Sequence, residues 1–545
     1  MLPGYIPWPE DRARAYRAKG YWADITLYEM LANAAQGRPD KIALVYESAR
    51  VTYADLVARV DRLAAQFLLA GLRPRERVVF QVGNGLEFFY AYFALLKVGV
   101  IPVMSLPAHR QTEIRHFVAH AQATAYLIPD KVRDFDYRPM ADEIKGYSPS
   151  LAHIFVAGEP GPGQKSIGAL AETPIPPGFQ WPARPDPADV ALMLLSGGTT
   201  ALPKLIPRTH NDYVLNCRLA GKMGGLDSES VMLVALPLAH NFTLASPGVQ
   251  AVLDLGGRVV IAPKIDAETT FPLIEKEKVT YMPLAIPLAT AYLNSEVPDR
   301  FDTSSLKLIA AGGAKLAPEL RKRLIERFKV KYQESFGTAE GLLNYVPLDA
   351  SMDLVLNSSG RPCCDDDEIK VLDDFDQEVP DGKPGELVVR GPYTINGYYN
   401  APDINAKAFT ADGYYRMGDV VIKQGRDLFY QGRKKDLINR GGEKISCEEV
   451  ENHILAHQKV QSACLVAMPD PDYGEKGCVF VIPRPGETLT FKELVDFLMT
   501  RQIAKFKLPE RMEIVDAFPL SPAGKILRRT LREIIAEKLS TETAR

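Results

Sequence analysis

The sequence predicts an α/β protein built from more than one domain. The first observation is its length, because 545 residues exceed what a single hydrophobic core usually holds. The second is its composition, since 46% hydrophobic and 24% charged residues are typical of a globular protein. The third is a repeated alternation of short β-branched runs with helical periodicity, which predicts βαβ units around a largely parallel sheet.

The βαβ pattern occurs twice along the chain. Its first occurrence predicts strands at 77–82, 100–104 and 125–128, with helices at 87–97 and 112–121 between them. Its second occurrence predicts strands at 258–262, 279–283 and 306–310, with helices at 267–278 and 318–328. We therefore expect two related α/β subdomains.

The pattern changes between about 360 and 432. Short predicted strands at 368–372, 386–390 and 428–431 are separated by turn sequences such as Pro380-Asp381-Gly382, which indicates a small antiparallel subdomain. Beyond it, predicted helices at 448–456, 491–501 and 526–539 alternate with strands. We interpret this last segment, about 110 residues long, as a separate C-terminal domain.

Charge and hydropathy argue against two classes of partner. With 65 basic and 68 acidic residues the net charge is −3, so no basic field favours a nucleic acid or a membrane surface. The apolar run at 88–96 stops at Lys97, well short of the roughly 20 residues of a membrane span. No secretory signal pattern opens the chain, and six scattered cysteines form no disulfide framework. We expect a cytoplasmic protein that binds small ligands.

A loop rich in glycine and threonine follows the apolar strand predicted at 190–195. It reads Ser196-Gly197-Gly198-Thr199-Thr200-Ala201-Leu202-Pro203-Lys204. The glycines permit close backbone approach, the threonines offer hydroxyls and the lysine supplies a cation, so the loop is suited to binding phosphates. It is not a Walker A loop, because Lys204 follows proline and precedes leucine. Taken alone, the segment also fits a plain surface loop.

Four further motifs follow in order: Glu334-Ser335-Phe336-Gly337-Thr338-Ala339-Glu340, Tyr414-Tyr415-Arg416-Met417-Gly418-Asp419, Gly432-Arg433-Lys434-Lys435-Asp436 and Pro522-Ala523-Gly524-Lys525. Together with the phosphate loop they resemble the adenylate-forming superfamily of acyl-CoA synthetases, luciferases and peptide-synthetase adenylation domains. The resemblance spans nearly the whole chain. It implies a large N-terminal domain, 1–433, of two α/β subdomains plus a small β-barrel part at about 360–432. It also implies a small, mobile α+β C-terminal domain, 434–545, and ATP and Mg²⁺ as cofactors.

The resemblance also implies roles for single residues. Thr199 and Glu340 would hold Mg²⁺, Asp419 would accept the ribose hydroxyls, and Arg433 would contact ribose or phosphate. Lys525 would bridge carboxylate and α-phosphate, Lys204 would order the phosphate loop, and His240 would complete the catalytic set. The other implied nucleotide-binding residues are Ser196, Gly197, Gly198, Thr200, Gly313, Ala314, Glu334, Ser335, Phe336, Gly337 and Thr338. The lid would swing about Lys435, bringing Gly441, Gly442 and Lys444 to a thiol channel.

Within the superfamily, segments 236–248 and 341–345 look like the stand-alone aryl acid–AMP ligases of siderophore biosynthesis. This likeness implies an aryl-acid pocket of His240, Asn241, Phe242, Ser246, Gly312 and Leu343. Amino-acid-activating relatives carry aspartate at the position of Asn241, so we expect a substrate without an amine. In this family, serine at 246 accompanies 2,3-dihydroxybenzoate, whereas Leu343 and Phe242 lean toward salicylate. The sequence therefore leaves both 2,3-dihydroxybenzoate and salicylate as candidate substrates.

The implied reaction has two steps. ATP and the aryl acid give aryl-AMP and pyrophosphate, and the phosphopantetheine thiol of a separate aryl carrier protein then takes the aryl group. An aryl-CoA ligase of aromatic catabolism is the first alternative, because coenzyme A presents the same thiol. A non-catalytic nucleotide-binding protein is the second, and the presence of Lys525 argues against it.

Overall fold

A computed structural model describes residues 1–196, 203–313, 315–441, 443–501, 503–521 and 525–543, apart from the side chains of Lys444 and Thr543. Its strands are β1 (Ile42–Tyr46), β2 (Ala49–Thr52), β3 (Arg77–Phe80), β4 (Ile101–Met104), β5 (Ala125–Pro129), β6 (Lys131–Val132), β7 (Phe135–Asp136), β8 (His153–Ala157), β9 (Lys165–Ser166), β10 (Val190–Leu195), β11 (Leu205–Thr209), β12 (Val231–Val234), β13 (Arg258–Ile261), β14 (Tyr281–Leu284), β15 (Leu308–Gly312), β16 (Lys331–Thr338), β17 (Gly341–Tyr345), β18 (Arg361–Pro362), β19 (Glu368–Leu372), β20 (Pro384–Arg390), β21 (Tyr415–Gln424), β22 (Asp427–Arg433), β23 (Ile438–Arg440), β24 (Glu443–Ile445), β25 (Val460–Asp470), β26 (Gly474–Pro483) and β27 (Arg511–Ile514).

The α-helices are α1 (Glu10–Ala18), α2 (Leu27–Gly37), α3 (Tyr53–Leu69), α4 (Leu86–Lys97), α5 (Gln111–Ala121), α6 (Tyr137–Tyr147), α7 (Ile167–Glu172), α8 (His210–Met223), α9 (Asn241–Ala245), α10 (Val249–Asp254), α11 (Ala267–Glu277), α12 (Ile286–Leu293), α13 (Pro318–Phe328), α14 (Met352–Asn357), α15 (Pro402–Ala408), α16 (Cys447–Leu455), α17 (Phe491–Thr500) and α18 (Arg528–Thr543). Short 3-10 helices lie at Val297–Arg300, Lys434–Asp436 and Lys505–Lys507.

Two large, mainly parallel sheets form the first part of the chain, which confirms the predicted α/β class. One has the order β11-β10-β4-β3-β5-β8-β9, and the other has the order β18-β17-β16-β15-β14-β12-β13-β1-β2. In the second sheet, β12, β14, β15 and β16 run parallel to one another. Their carboxyl ends therefore meet at one edge, which is where open α/β sheets bind ligands.

Helix α4 is buried in the core of the protein. Nine consecutive residues, 88–96, are buried, so this helix is apolar on every side rather than amphipathic. Its aromatic rings contact one another and Phe80 of β3 at centroid distances of 5.1–6.4 Å. Within the described part of the chain, no helix has the length and apolarity to cross a bilayer.

Two smaller sheets follow in sequence. Strands β19-β20-β21-β22 pair in chain order as an antiparallel meander, and in this structure that open sheet takes the place of the expected barrel. Strands β24-β23-β26-β25 form the last sheet, with β27 added parallel to β26. The expected domain boundary after residue 433 lies between β22 of the one sheet and β23 of the other.

The last helix begins later than the periodicity predicts. A helix was expected at 526–539, but α18 starts at Arg528. Ile526 instead forms an antiparallel bridge with Leu520, so its backbone is extended. This tertiary pairing outweighs the local helical pattern of the segment.

The buried Arg208 side chain pairs with an aspartate of the next helix and also reaches the turn between β16 and β17 of the other large sheet. Arg208 Nε contacts Asp212 Oδ1 at 2.6 Å, and both side chains are fully buried. The same guanidinium donates to the carbonyls of Ala339 (2.8 Å) and Tyr393 (3.1 Å). Arg208 therefore ties β11 to the segment just before Glu340.

We predict that Arg208→Leu lowers the free energy of unfolding by about 3–5 kcal/mol, because Asp212 would stay buried without its cation. The measurement is the urea unfolding midpoint. Arg218→Leu is the matched control: Arg218 lies on α8, the helix that carries Asp212, and pairs with Asp254, but its side chain is 42% exposed. That control should lose less than about 1 kcal/mol, and equal losses in both variants would contradict the prediction.

Candidate active site

The candidate site lies at the carboxyl ends of β12, β15 and β16. Segment 235–240 follows β12, Gly312 ends β15 and Gly313 comes directly after it, and the Glu334–Thr338 motif forms most of β16. Gly313 has a φ of +86°, a value that favours glycine. Three predicted segments that are far apart in sequence thus meet at one sheet edge.

Asp419 is a buried carboxylate with unused hydrogen-bonding capacity. It lies in β21 opposite Arg433 of β22, and Arg433 Nε is 2.8 Å from Asp419 Oδ1. Although this ion pair is close, neither carboxylate oxygen has a well-aligned hydrogen-bond donor among the described residues. Burial raises the pKa of Asp419 from 3.8 to about 6, and the nearby Arg433 only partly offsets that rise. Such a group is suited to accepting hydrogen bonds from a ligand with two hydroxyls.

Glu340 and Lys204 are linked through Tyr398, a residue that the sequence gave no reason to select. The Tyr398 hydroxyl donates to Glu340 Oε1 at 2.7 Å, and the Lys204 ammonium lies 4.1 Å from the centre of the Tyr398 ring. Burial lowers the pKa of Lys204, and the negative charge of Glu340 opposes that decrease. At the base of the phosphate loop, the Lys204 backbone N–H donates to Ser196 Oγ at 2.9 Å.

Lys525 reaches this site from the C-terminal domain. Its Cε would lie 3.9 Å from a Cβ placed on Gly313. Burial lowers the pKa of Lys525, Arg433 lowers it further, and Asp419 and Glu340 raise it. The lysine therefore lies among the same charges that surround Asp419.

Lys525 lies three residues before Arg528, which is anchored within the C-terminal domain. The Arg528 guanidinium makes a bidentate contact with Glu451 at 2.6 and 2.7 Å and also donates to the Leu465 carbonyl. Ser521 accepts a hydrogen bond from the Lys525 backbone N–H at 3.1 Å. These contacts limit the positions that the Lys525 side chain can reach.

His240 is held as a neutral imidazole. Its Nδ1 accepts the Phe242 backbone N–H at 3.2 Å and so caps α9. Burial, with a smaller contribution from Lys525, lowers the pKa of His240 to about 4. Since Nδ1 is an acceptor, the ring proton lies on Nε2 and can be donated to a ligand.

Phe242 and Gly312 form one wall of the expected aryl pocket. A Cβ on Gly312 would lie 2.8 Å from Phe242 Cε2, so glycine at the end of β15 allows the ring to pack there. Leu343 is also buried, and its backbone N–H donates to the Tyr393 hydroxyl at 3.2 Å. Tyr393 in turn donates to the partly buried Asp367, whose pKa is raised to about 7 by desolvation.

The polar side of this pocket is a network of amides and hydroxyls. Asn241 Oδ1 accepts from the Tyr213 hydroxyl at 2.7 Å, and Asn241 Nδ2 lies 3.4 Å from Ser246 Oγ. Asn216 Nδ2 also lies 3.4 Å from Ser246 Oγ. Neither contact uses the Ser246 hydroxyl proton. Tyr213 and Asn216 were not predicted, because their positions on α8 carry no motif.

Other predicted nucleotide residues lie beside this centre. Phe336 packs against Tyr430 with ring centroids 5.4 Å apart, Ser335 pairs with Gly312, and Thr338 donates to the Gly341 carbonyl. Gly337 pairs with Leu343 across β16 and β17. The Glu334 side chain is engaged elsewhere, 3.1 Å from buried Arg321 and hydrogen-bonded by Tyr332.

Several predicted residues lie outside the described residues: Gly197, Gly198, Thr199, Thr200, Ala314 and Gly442, together with the side chain of Lys444. Lys435, the expected hinge, lies in the 3-10 helix Lys434–Asp436. Its carbonyl accepts from Arg532 Nη2 at 3.1 Å, and the same nitrogen lies 2.9 Å from Asp436 Oδ1. Helix α18 thus contacts the segment that joins the two domains.

We predict that Asp419→Asn stabilises the free protein at pH 7.5. The folded-state pKa of about 6 lies above the ordinary value of 3.8, so the ionised form costs stability that is regained as the pH falls through 6 toward 3.8. The expected gain of the variant is about 1–3 kcal/mol at pH 7.5, and it should shrink at pH 5.

Urea unfolding at the two pH values measures this difference. Asp427→Asn is the control, because Asp427 belongs to the same hairpin but pairs with Arg361 near the surface. A loss of stability in Asp419→Asn at pH 7.5, or a gain that does not change with pH, would count against the buried-charge explanation.

Comparison with known proteins gives the family. The family model for AMP-binding enzymes matches residues 31–399, and the model for the AMP-binding enzyme C-terminal domain matches residues 449–525. The chain is 44% identical over 540 residues to the 2,3-dihydroxybenzoate-AMP ligase of Bacillus subtilis, covering 99% of both chains. It is 43% identical over 549 residues to a salicylyl-CoA synthase / salicylate adenylyltransferase of a Streptomyces species, again covering 99% of both.

A solved structure agrees with these matches. The apo structure of MbtA from Mycobacterium smegmatis superposes with a TM-score of 0.75 at 39% identity, covering 97% of this chain and 98% of that one. The family models, the relatives and this structure cover both the sheets that hold the site and the domain that carries Lys525. The chain therefore belongs to the family of AMP-binding, adenylate-forming enzymes.

Proposed function

We propose that the chain activates a 2-hydroxybenzoate, either 2,3-dihydroxybenzoate or salicylate, as its acyl-adenylate and loads it onto a carrier thiol in siderophore biosynthesis. The observation that carries this proposal is the position of Lys525. It lies beside Gly313, between the Asp419–Arg433 pair and the pocket of His240. A cation at that junction can contact both an acid and a nucleotide.

The first step joins two anions. A carboxylate oxygen attacks the α-phosphorus of ATP, the bond from that phosphorus to the bridging oxygen breaks, and pyrophosphate leaves with the bonding electrons. No general base is needed, because the carboxylate is already ionised at neutral pH. The main requirement is to stabilise negative charge, which Lys525, Arg433 and the Nε2–H of His240 can meet.

The nucleotide and its metal fit the residues present. The unsatisfied oxygens of buried Asp419 would accept the two ribose hydroxyls. Mg²⁺ usually binds through one or two carboxylates together with substrate phosphates, and it would supply charge neutralisation at the triphosphate. Glu340 has one oxygen not used by Tyr398 and could provide that carboxylate, with Thr199 as the second proposed ligand.

The second step transfers the aryl group to a thiol. The thiol sulfur attacks the carbonyl carbon of the mixed anhydride, the bond from that carbon to the phosphate oxygen breaks, and AMP and the thiol proton are released as the thioester forms. We propose rotation about Lys435 to remove Lys525 from the site, and a phosphopantetheinylated aryl carrier protein as acceptor. Coenzyme A remains the alternative, since one relative is named a salicylyl-CoA synthase. Acceptor kinetics with both thiols distinguish the two.

We predict that Lys525→Ala lowers the rate of aryl-AMP formation by roughly 10²–10³-fold, because one preorganised charge contact is lost. Transfer from pre-made aryl-AMP to the thiol should stay within about threefold, since the charge is required only in the first step. Pyrophosphate exchange measures the first half-reaction, and thioester formation from synthetic aryl-AMP measures the second.

Lys459→Ala is the matched control in the same domain, because Lys459 pairs with Glu493 at the surface. It should leave both half-reactions unchanged. Similar losses of both half-reactions in Lys525→Ala would mean that Lys525 is not specific to adenylation.

The substrate proposal rests on Asn241 and Ser246. We predict that pyrophosphate exchange is supported by 2,3-dihydroxybenzoate and by salicylate, and that unsubstituted benzoate is poorer by about 5- to 150-fold in kcat/KM. The reason is that bound benzoate covers the partly buried Asn241 amide without offering it a hydrogen-bond partner. If Ser246 reads the 3-hydroxyl, Ser246→Cys should reduce kcat/KM for 2,3-dihydroxybenzoate more than for salicylate. Equal losses on the two acids would contradict that role, and a preference for benzoate or an amino acid would overturn the substrate class.

A further inference from the structure

Tyr213 determines which end of the Asn241 amide meets the aryl pocket. Its hydroxyl lies 2.7 Å from Asn241 Oδ1, a distance typical of O–H···O rather than N–H···O hydrogen bonds. Tyr213 is fully buried, and burial raises the pKa of its hydroxyl well above the ordinary value, so the proton is retained. The Asn241 carbonyl oxygen is therefore occupied, and its NH₂ group faces the other way.

A second amide supports the same orientation. Arg208 can only donate, and its Nη2 lies 3.4 Å from Asn216 Oδ1. The Asn216 NH₂ group must then face the Ala245 carbonyl, at 3.1 Å, and Ser246 Oγ. Because Asn216 and Asn241 both direct an NH₂ group at Ser246 Oγ, that oxygen acts as an acceptor toward both.

The opposite orientation of Asn241 is disfavoured. It would place the NH₂ group against the Tyr213 hydroxyl and leave the hydroxyl proton without an acceptor among the residues that the structure describes. A buried donor without a partner is costly. Arg208, which pairs with Asp212, thus orients the Asn216 amide, and Tyr213 orients the Asn241 amide.

We infer that Tyr213 is a positioning residue through which the enzyme selects a 2-hydroxybenzoate over a 2-aminobenzoate; this inference rests on the proposed function. In a 2-hydroxybenzoate anion the phenolic proton is donated internally to the carboxylate, so the phenolic oxygen is presented as an acceptor. In 2-aminobenzoate one N–H is used internally, the second points outward as a donor, and the nitrogen lone pair is delocalised into the ring. An Asn241 NH₂ group matches the first acid and opposes the second.

The test is the ratio of kcat/KM for salicylate to that for 2-aminobenzoate, measured by pyrophosphate exchange with the full-length protein. The wild type should favour salicylate. Tyr213→Phe releases the Asn241 carbonyl, so the amide can turn and accept from the 2-amino group. We expect the ratio to fall by about tenfold or more, since a donor–donor mismatch is removed. A purely structural defect would lower both values together and leave the ratio unchanged.

Tyr281→Phe is the matched control. Its buried hydroxyl donates to the Pro247 carbonyl at 2.9 Å, next to Ser246, but does not contact Asn241. It should keep the wild-type ratio. If Tyr213→Phe does not fold, Asn241→Asp provides the second variant, because a carboxylate offers only acceptors and should shift the ratio in the same direction.

The outcomes separate the two proposals. A wild type inactive on every substituted benzoate would overturn the proposed function and the inference with it. A wild type that favours salicylate, together with a ratio in Tyr213→Phe or its substitute Asn241→Asp within about twofold of wild type, would overturn only the inference.

Discussion

The active site depends on two buried carboxylates that offset the positive charge of several closely spaced cations. Asp419 and Glu340 oppose the loss of charge on Lys525, while Arg433 and burial favour it. Lys204 is subject to the same balance, with Glu340 raising its pKa and Lys435 and Arg433 lowering it. A reaction between two anions requires several cations in a small, dry volume. Without the carboxylates, those cations would repel one another, and the two lysines would lose their protons more readily.

The scaffold fixes these carboxylates in different ways. Asp419 is placed by strand register, because it lies opposite Arg433 in a hairpin. Glu340 lies in the turn between β16 and β17, and Arg208 donates a hydrogen bond to the carbonyl of the preceding Ala339. Arg208 also orients Asn216 and hence the pocket around Ser246. One buried guanidinium therefore supports both the nucleotide side and the acid side of the site.

The two domains meet through contacts suited to a reversible interface. Lys315 lies 3.5 Å from Glu448 of α16 and donates to the Tyr430 carbonyl, and Ser446 donates to the Gln431 carbonyl. Desolvation raises the pKa of Glu448 to about 7, so this interface includes a carboxyl that is costly to bury in its charged form. Polar contacts of this kind permit movement more readily than a large apolar interface does.

The sequence by itself determined the α/β class, the order of the elements and the motifs that led to the family, because periodicity and glycine-rich signatures are local properties. It also led to Asp419, Glu340, Arg433 and Lys525, through motif resemblance. Only the tertiary structure decided that Tyr398 links Lys204 to Glu340, that Glu334 pairs with Arg321, and that Tyr213 and Asn216 orient the pocket amides. The physical reason is that each contact joins groups brought together by sheet register and helix packing, and hydrogen-bond direction and desolvation exist only once those groups are buried together.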